Sequence, residues 1–422
     1  MGPGRSVLMG TDAFTEVVLT PWGVGGGYSG PVTFLGRLFS AVCAEEPDAR
    51  IDVLYRDRGG EEVPAWATDA TALSRRAHFG LREQLAWGVR AARAVRQRAG
   101  SEVLVHLQGL YLANLVAAYA VPPGRAVLLP VLERGDLVPA GAKPLAALKS
   151  RLLRRVVRRA RVGFAITCGI ERELRALGMP EDRIVPLGNA VDESVFTSEG
   201  RAVPGADAVR IGFVGKLGPI KRPQLLLDAV AMLRERGVDA SAVFVGPFAS
   251  AEFEGGFRKR VAELGLDEHV VIAGMRSDVA SVLRAEIDVF VLPSSSEGMP
   301  GALAEAMMTG LPAVVTDVGA MGDTVIASGG GLVVTPDGER IAEAVERILD
   351  DGAWAEYSRR AADFAHAHFG SRAVAAAYLE GIGRRPRGAA HVAVADPATS
   401  ARLVTSAAPV TAATRRAEEP AA

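Results

Sequence analysis

The chain of 422 residues predicts an α/β protein of two doubly wound, Rossmann-like domains. Three observations carry this. Short apolar runs rich in Val, Ile and Phe alternate with helical stretches along most of the chain, as parallel strands buried on both faces do. The length suffices for two separate cores. One polar stretch, TSEGRAVPGADA at 197–208, interrupts the alternation and reads as a linker. The expected division is therefore 1–196, the linker 197–208, 209–365, a helical 366–383, and a tail at 384–422. The tail is rich in Ala, Pro, Thr and Arg without apolar periodicity, and is expected to be disordered.

In the first half, residues 16–20 (EVVLT) form the first strand. The glycine-rich loop PWGVGGGYSG follows at 21–30, then a helix at 31–44. Gly25, Gly27 and Gly30 fit G-x-G-x-x-G, with Asp57 near the end of the next strand, 51–55. A dinucleotide fingerprint places its acidic residue about twenty positions on, and Asp57 comes later. What survives is a loop at Gly25, Gly26 and Gly27 without side chains, suited to close approach by something bulky or anionic. A long helical segment covers 75–98, followed by strands at 102–106 (EVLVH) and 127–132. The first of these ends in His106-Leu107-Gln108, and the second leads to Glu133-Arg134-Gly135-Asp136. A histidine at a strand end is more often structural than functional, and Arg134 alone is as readily a loop ion pair. Residues 149–161, KSRLLRRVVRRAR, set Leu and Val at helical spacing between arginines. Attraction to anionic lipid is the sharper reading. Without an interfacial Trp or Phe, a helix packed on the sheet with a solvated basic face is favoured. Strands at 162–167 and 184–187 complete this half.

The second half opens with a strand at 210–214 and the loop GKLGPIKRP. Of 48 basic residues only five are Lys, and two of them, Lys216 and Lys221, share this loop, a hint of selection for compact ammonium groups. Strands follow at 242–246 and 270–273, the latter leading to Gly274-Met275-Arg276. Residues 287–292 (IDVFVL) form a buried strand. Pro293 and three serines end it, Glu297-Gly298-Met299-Pro300 makes a tight loop, and an Ala/Met/Leu helix runs from 300 to 309, with Pro in its first turn and Gly310 past its end. A strand at 313–316 and a helical stretch at 354–383 complete the pattern. In open α/β sheets ligands bind at the carboxyl ends of strands, and the amides of a helix's first turn suit a diphosphate. Glu297 and Glu305, eight positions apart, flank that helix start. Ionised carboxylates accept hydrogen bonds only, which fits them to vicinal hydroxyls of a ribose or hexose.

The stretch Glu297-Gly298-Met299-Pro300-x4-Glu305-Ala-Met-x-x-Gly310-x-Pro312 resembles the E-x7-E signature of glycosyltransferase family 4, retaining enzymes of the GT-B fold, in which two Rossmann-like domains face across a cleft. The resemblance covers about 16–383 and is most specific over 211–322. It implies that Glu297, Gly298, Met299 and Pro300 hold the donor sugar and that Glu305 holds the nucleotide ribose. Lys216 and Lys221 would neutralise the departing diphosphate, in a pattern where the family usually has Arg at the first position. Met275 would meet the base through its backbone, and Gly25, Gly26 and Gly27 would face the cleft. Arg134 resembles the family's cleft arginine. Where the family reads His-x-His, this chain has His106-Leu107-Gln108, so either His106 or Gln108 would reach the donor. PLGNAVDESVF at 186–196 resembles the junction segment, with Asn189 displaced from the usual register. The helix at 366–383 would cross back onto the first domain.

These features imply hexosyl transfer from a nucleotide-diphosphate sugar, UDP-linked in the family's common case, to a hydroxyl acceptor, with no cofactor and, lacking Asp-x-Asp, no metal. A small polar acceptor such as an aminocyclitol and a lipid-linked or cell-envelope glycan both remain open. So do an epimerase or hydrolase on the same fold, a dehydrogenase using the Gly25 loop, and a module that binds without turnover. Composition narrows the setting. A net charge of −1 offers nothing to nucleic acid globally. Cys43 and Cys168, the only cysteines and far apart, point to a reducing compartment. Asp12 and Glu16 interrupt any N-terminal apolar core, and 106–124 carries Gln108, Asn114 and Pro122-Pro123, so a soluble cytoplasmic protein is expected.

Overall fold

The computed structural model describes residues 14–384, apart from 22–23, 25–29, 58, 60–61, 77, 99–102, 131–143, 206–207 and 351. Gly25, Gly26, Gly27, Arg134 and the tail from 385 on lie outside the described residues.

The first domain alternates β1 (Thr15–Thr20), α1 (Gly30–Glu45), β2 (Arg50–Arg56), β3 (Asp69–Ser74), α2 (Leu81–Arg98), β4 (Leu104–Gln108) and α3 (Leu112–Ala118). It continues with β5 (Ala126–Leu129), α4 (Pro144–Arg159), β6 (Val162–Ala165), α5 (Cys168–Ala176) and β7 (Ile184–Pro186). All pairings are parallel, in the order β3-β2-β1-β4-β5-β6-β7. Strand order reverses between β1 and β4, and a crevice opens at such a point. Alternation along β4 sends Val105 and Leu107 into the core under α2 and α3. Leu104 goes to the opposite core, shared with α1.

The second domain runs β8 (Ala208–Val214), α6 (Gln224–Glu235), β9 (Asp239–Val245), α7 (Ala251–Glu263), β10 (Val270–Gly274), α8 (Val279–Ala285) and β11 (Val289–Leu292). Then come α9 (Gly301–Met308), β12 (Ala313–Thr316), α10 (Met321–Ser328), β13 (Gly331–Val334) and α11 (Gly338–Leu349). Its sheet is also parallel, ordered β10-β9-β8-β11-β12-β13, with the reversal between β8 and β11. The two sheets repeat the doubly wound order, and this pair of domains is the GT-B architecture. Linker residue Arg201 is half-buried. It donates to the carbonyls of Leu283, Ile287 and Thr309, tying the linker to the ends of α8 and α9. Without a carboxylate in direct contact, burial holds its pKa down at about 10.

Several elements depart from expectation. The edge strand β3, half-buried along most of its length, has the sequence DATALS, with too few β-branched residues to stand out. The helix expected from 75 starts at Leu81 instead. Short β13 also went unforeseen, and β8 begins one residue inside the expected linker. The basic helix begins earlier, at Pro144. Its Leu153, Val156 and Val157 are buried in the sheet's core, as the packed reading requires. The stretch 354–383 is two helices, α12 (Ala353–Phe369) and α13 (Ser371–Gly381), parted at Gly370. A Cβ at Gly370 would lie 2.8 Å from the His366 carbonyl. The break redirects the chain: α12 packs on α9, while α13 packs on α1 and fills the first domain's core with Val374, Tyr378, Leu379 and Ile382. Arg384, assigned to the tail, is buried with its guanidinium 4.6 Å from the Phe14 ring centroid.

Tyr378 fastens α13 to the sheet. Its hydroxyl donates to Glu16 Oε1 and lies 2.9 Å from His106 Nδ1, all three side chains being fully buried. Glu16 Oε2 has no hydrogen-bond partner among the described residues, so the carboxylate leans on this hydroxyl. Replacing Tyr378 by Phe should lower stability by about 2 kcal/mol, since a buried carboxylate loses its principal donor. Chemical denaturation checks this, and an unchanged midpoint would show the hydrogen bond to be idle.

Candidate functional site

At the carboxyl end of β11 the chain leaves the sheet through Pro293, turns through 294–300, and enters α9. Pro300 occupies the cap position in an extended conformation and supplies no side-chain acceptor. The amides of Gly301 and Ala302 are thus left for solvent or an anion, at the positive end of the helix dipole.

The turn is held from three sides. Lys221 Nζ lies 2.6 Å from Glu297 Oε1, and Ser294 Oγ donates to the same oxygen at 2.8 Å. Lys221 follows β8, the strand beside β11, so the ion pair bridges the reversal point of the sheet. The Ala320 amide donates to the Gly298 carbonyl at 2.9 Å. Gly319, at φ +58°, lets the next loop press close: a Cβ there would lie 2.2 Å from the Glu297 carbonyl oxygen. From the first domain, Asn189 Nδ2 donates to the Met299 carbonyl at 3.1 Å. Met299 has its side chain in the core, so it can face a ligand only through its main chain, and Pro300 is likewise buried.

Glu305 sits one turn into α9, its Oε1 2.5 Å from Nη2 of Arg37 on α1. A carboxylate beside a helix start is ordinarily held ionised by the dipole. Burial instead pushes the Glu305 pKa up, and Arg37 pulls against that rise. Glu297, Glu305 and Lys221 are therefore gathered around one helix start, joined by Ser294, Asn189 and Arg37. Lys216 stands exposed just past β8, with no ion pair among the described residues. Met275, also exposed, follows the edge strand β10, at the far side of the sheet from β11 by strand order.

His106 is placed differently from the expectation. It is wholly buried, its Nδ1 beside Tyr378 and its Nε2 3.2 Å from Gln108 Oε1, so it presents no atom to the cleft. The physical reason is strand alternation, which turns His106 towards α1 and α13. Gln108, last in β4, is 2 % exposed. Ser294 and Arg37 were not foreseen. A serine three residues before a glutamate is too common a pattern to notice, and nothing local to Arg37 announces a partner 268 positions away.

Two parallel sheets, with a carboxylate-flanked helix start presented at the reversal point of the second, define a GT-B protein. Residues 208–351 match the family model for glycosyl transferases group 1. A 2-deoxystreptamine glucosyltransferase of Streptomyces kanamyceticus is 34% identical over 146 residues, 34% of this chain and 37% of that protein. A UDP-Gal:alpha-D-GlcNAc-diphosphoundecaprenol alpha-1,3-galactosyltransferase of Escherichia coli is 32% identical over 142 residues, 33% of this chain and 36% of that one. The matched stretch thus spans just over a third of each of these relatives. Anabaena Alr3699/HepE, solved in complex with UDP-glucose, shares the fold at a TM-score of 0.63 and 16% identity, over 85% of this chain and 97% of its own. Among the described residues, no helix is long and apolar enough to cross a membrane.

Gly319→Ala should cost about 1–3 kcal/mol, because the new Cβ meets the Glu297 carbonyl and the left-handed φ is strained. Faster hydrogen exchange at the amides of 298–302 would accompany the loss. Unaltered exchange and stability would mean that the contact does not brace the turn.

Proposed function

We propose that the protein is a cytoplasmic, retaining, metal-independent glycosyltransferase. It moves a hexosyl group of glucose or N-acetylglucosamine type from a UDP-linked donor to a hydroxyl of a small polar acceptor such as an aminocyclitol. The observation that carries this is the convergence of Glu297, Glu305 and Lys221 on the uncapped start of α9.

In this reading the diphosphate lies at the amides of Gly301 and Ala302. Glu297 and the Gly298–Pro300 main chain receive the sugar hydroxyls, Glu305 receives those of the ribose, and Met275 lies on the side of the base. The bond from the anomeric carbon to the diphosphate oxygen breaks, and its electron pair stays with the diphosphate. The acceptor oxygen bonds to the same face of that carbon, and its proton passes to a diphosphate oxygen. No residue acts as nucleophile. The transition state carries growing charge on the leaving group, where fixed dipoles and ammonium groups count most. Lys221 shares its charge with Glu297, whereas Lys216 has no ion pair among the described residues. His106 has no part in the chemistry of this reading, and Gly25, Gly26, Gly27 and Arg134 remain proposed cleft residues.

The aminocyclitol acceptor draws support from the relative named for 2-deoxystreptamine. A lipid-linked acceptor is the second reading, favoured by the relative named for a diphosphoundecaprenol substrate. The deciding experiment incubates the protein with UDP-glucose or UDP-N-acetylglucosamine and either an aminocyclitol panel or a diphosphoundecaprenol glycan. UDP release that requires an aminocyclitol, with an α-linked product by NMR, is expected. Release without acceptor would mean a hydrolase, and dependence on the lipid would move the assignment to the second reading. Glu305→Ala should weaken donor binding about 10- to 150-fold, the equivalent of a lost charged hydrogen bond of roughly 1.5–3 kcal/mol. Calorimetry reads this directly, and unchanged affinity would remove Glu305 from the site.

A further inference from the structure

Arg37 belongs to α1, in the domain opposite the proposed donor site, yet its guanidinium ends on Glu305. The pair is not a loose surface contact. The two side chains are 28% and 12% exposed, and only Oε1 of Glu305 is engaged among the described residues. A third group joins them. From a Cβ position built on Gly301, Asn189 Nδ2, Arg37 Nη1 and Glu305 Oε1 lie 3.6, 3.8 and 3.9 Å away. Two residues of the first domain thus close around the first residue of α9, one through a carboxylate and the other through the Met299 carbonyl.

The geometry points to Arg37 as a positioning residue for the nucleotide: reaching across from the first domain, it fixes Glu305 by one oxygen and leaves the other directed to the ribose hydroxyls. This rests on the reading that Glu305 takes the ribose. An arginine–carboxylate pair is often bidentate, and a bidentate one here would occupy both oxygens. The single contact leaves acceptor capacity on the carboxylate while removing its freedom to rotate. Burial alone would favour the neutral acid, which is a poorer acceptor, and the guanidinium opposes that. Nucleotide affinity then depends on the two domains standing together, because one supplies the carboxylate and the other holds it.

A double-mutant cycle on the full chain tests this, with UDP as the probe, titrated by calorimetry into wild type, Arg37→Met, Glu305→Gln and the double variant. Arg37→Met should weaken UDP about tenfold, and Arg37→Lys should recover part of the loss. In the Glu305→Gln background, Arg37→Met should add less than about twofold, since it acts through the missing charge. Inorganic pyrophosphate, which lacks the ribose, should bind the wild type and Arg37→Met alike. Wild-type UDP affinity in Arg37→Met overturns the inference. So does an undiminished tenfold loss in the Glu305→Gln background, which would place Arg37 directly on the nucleotide. Melting temperatures identify any variant that misfolds, in which case Arg37→Gln and Arg37→Lys carry the comparison. A wild type that binds no UDP overturns the donor reading as well, whereas UDP binding indifferent to Arg37 overturns this inference alone.

Discussion

The site depends on an eight-residue helix that begins without a side-chain cap. Unsatisfied amides at a helix start must find water, a side chain or an anion, and α9 offers its own to whatever enters beside β11. The arrangement is secured around those amides rather than across them. Lys221 and Ser294 hold Glu297, Gly319 admits the neighbouring loop, and Asn189 holds the Met299 carbonyl. Each of these contacts fixes the turn without engaging the Gly301 and Ala302 amides. An ion pair as sheltered as Lys221–Glu297 adds little net stability, because desolvation offsets most of the attraction. Its use here is to set geometry.

The second constraint is covalent order in the chain. The C-terminal helices begin in one domain and finish in the other, with α12 against α9 and α13 inside the first domain's core. Gly370 makes the change of direction, and Tyr378 anchors the far end on Glu16. Arg201 does a similar service for the linker by joining three carbonyls at the ends of α8 and α9 and at Ile287. Both crossings between domains are therefore fastened by polar groups with specific partners. The Arg37–Glu305 and Asn189–Met299 contacts across the cleft operate between those fastenings.

Local chemistry made part of this legible. Glu297 and Glu305 belong to one strand–turn–helix unit, so their offset in sequence becomes a fixed offset in space. Lys221 was readable because two of the chain's five lysines share the loop after β8, and the structure sets that loop beside β11. Two doubly wound domains followed from the alternation of apolar runs and helices. Contacts between distant segments were illegible: Arg37 with Glu305, Asn189 with Met299, and Tyr378 with Glu16 and His106. His106 is instructive, because a strand-end histidine suggests a cleft residue until its neighbours show which face it takes. That face is set by the pleat, and its cover comes from α13, more than 250 positions later. Edge strand β3 was missed because a half-exposed strand needs little apolar pattern to form.

In the proposed function the start of α9 holds a nucleotide diphosphate. A crystal structure with bound UDP tests it most directly. Diphosphate oxygens are expected within hydrogen-bond distance of the Gly301 and Ala302 amides, with the ribose against Glu305. UDP seated elsewhere, or its ribose turned away from Glu305 towards solvent, would contradict it.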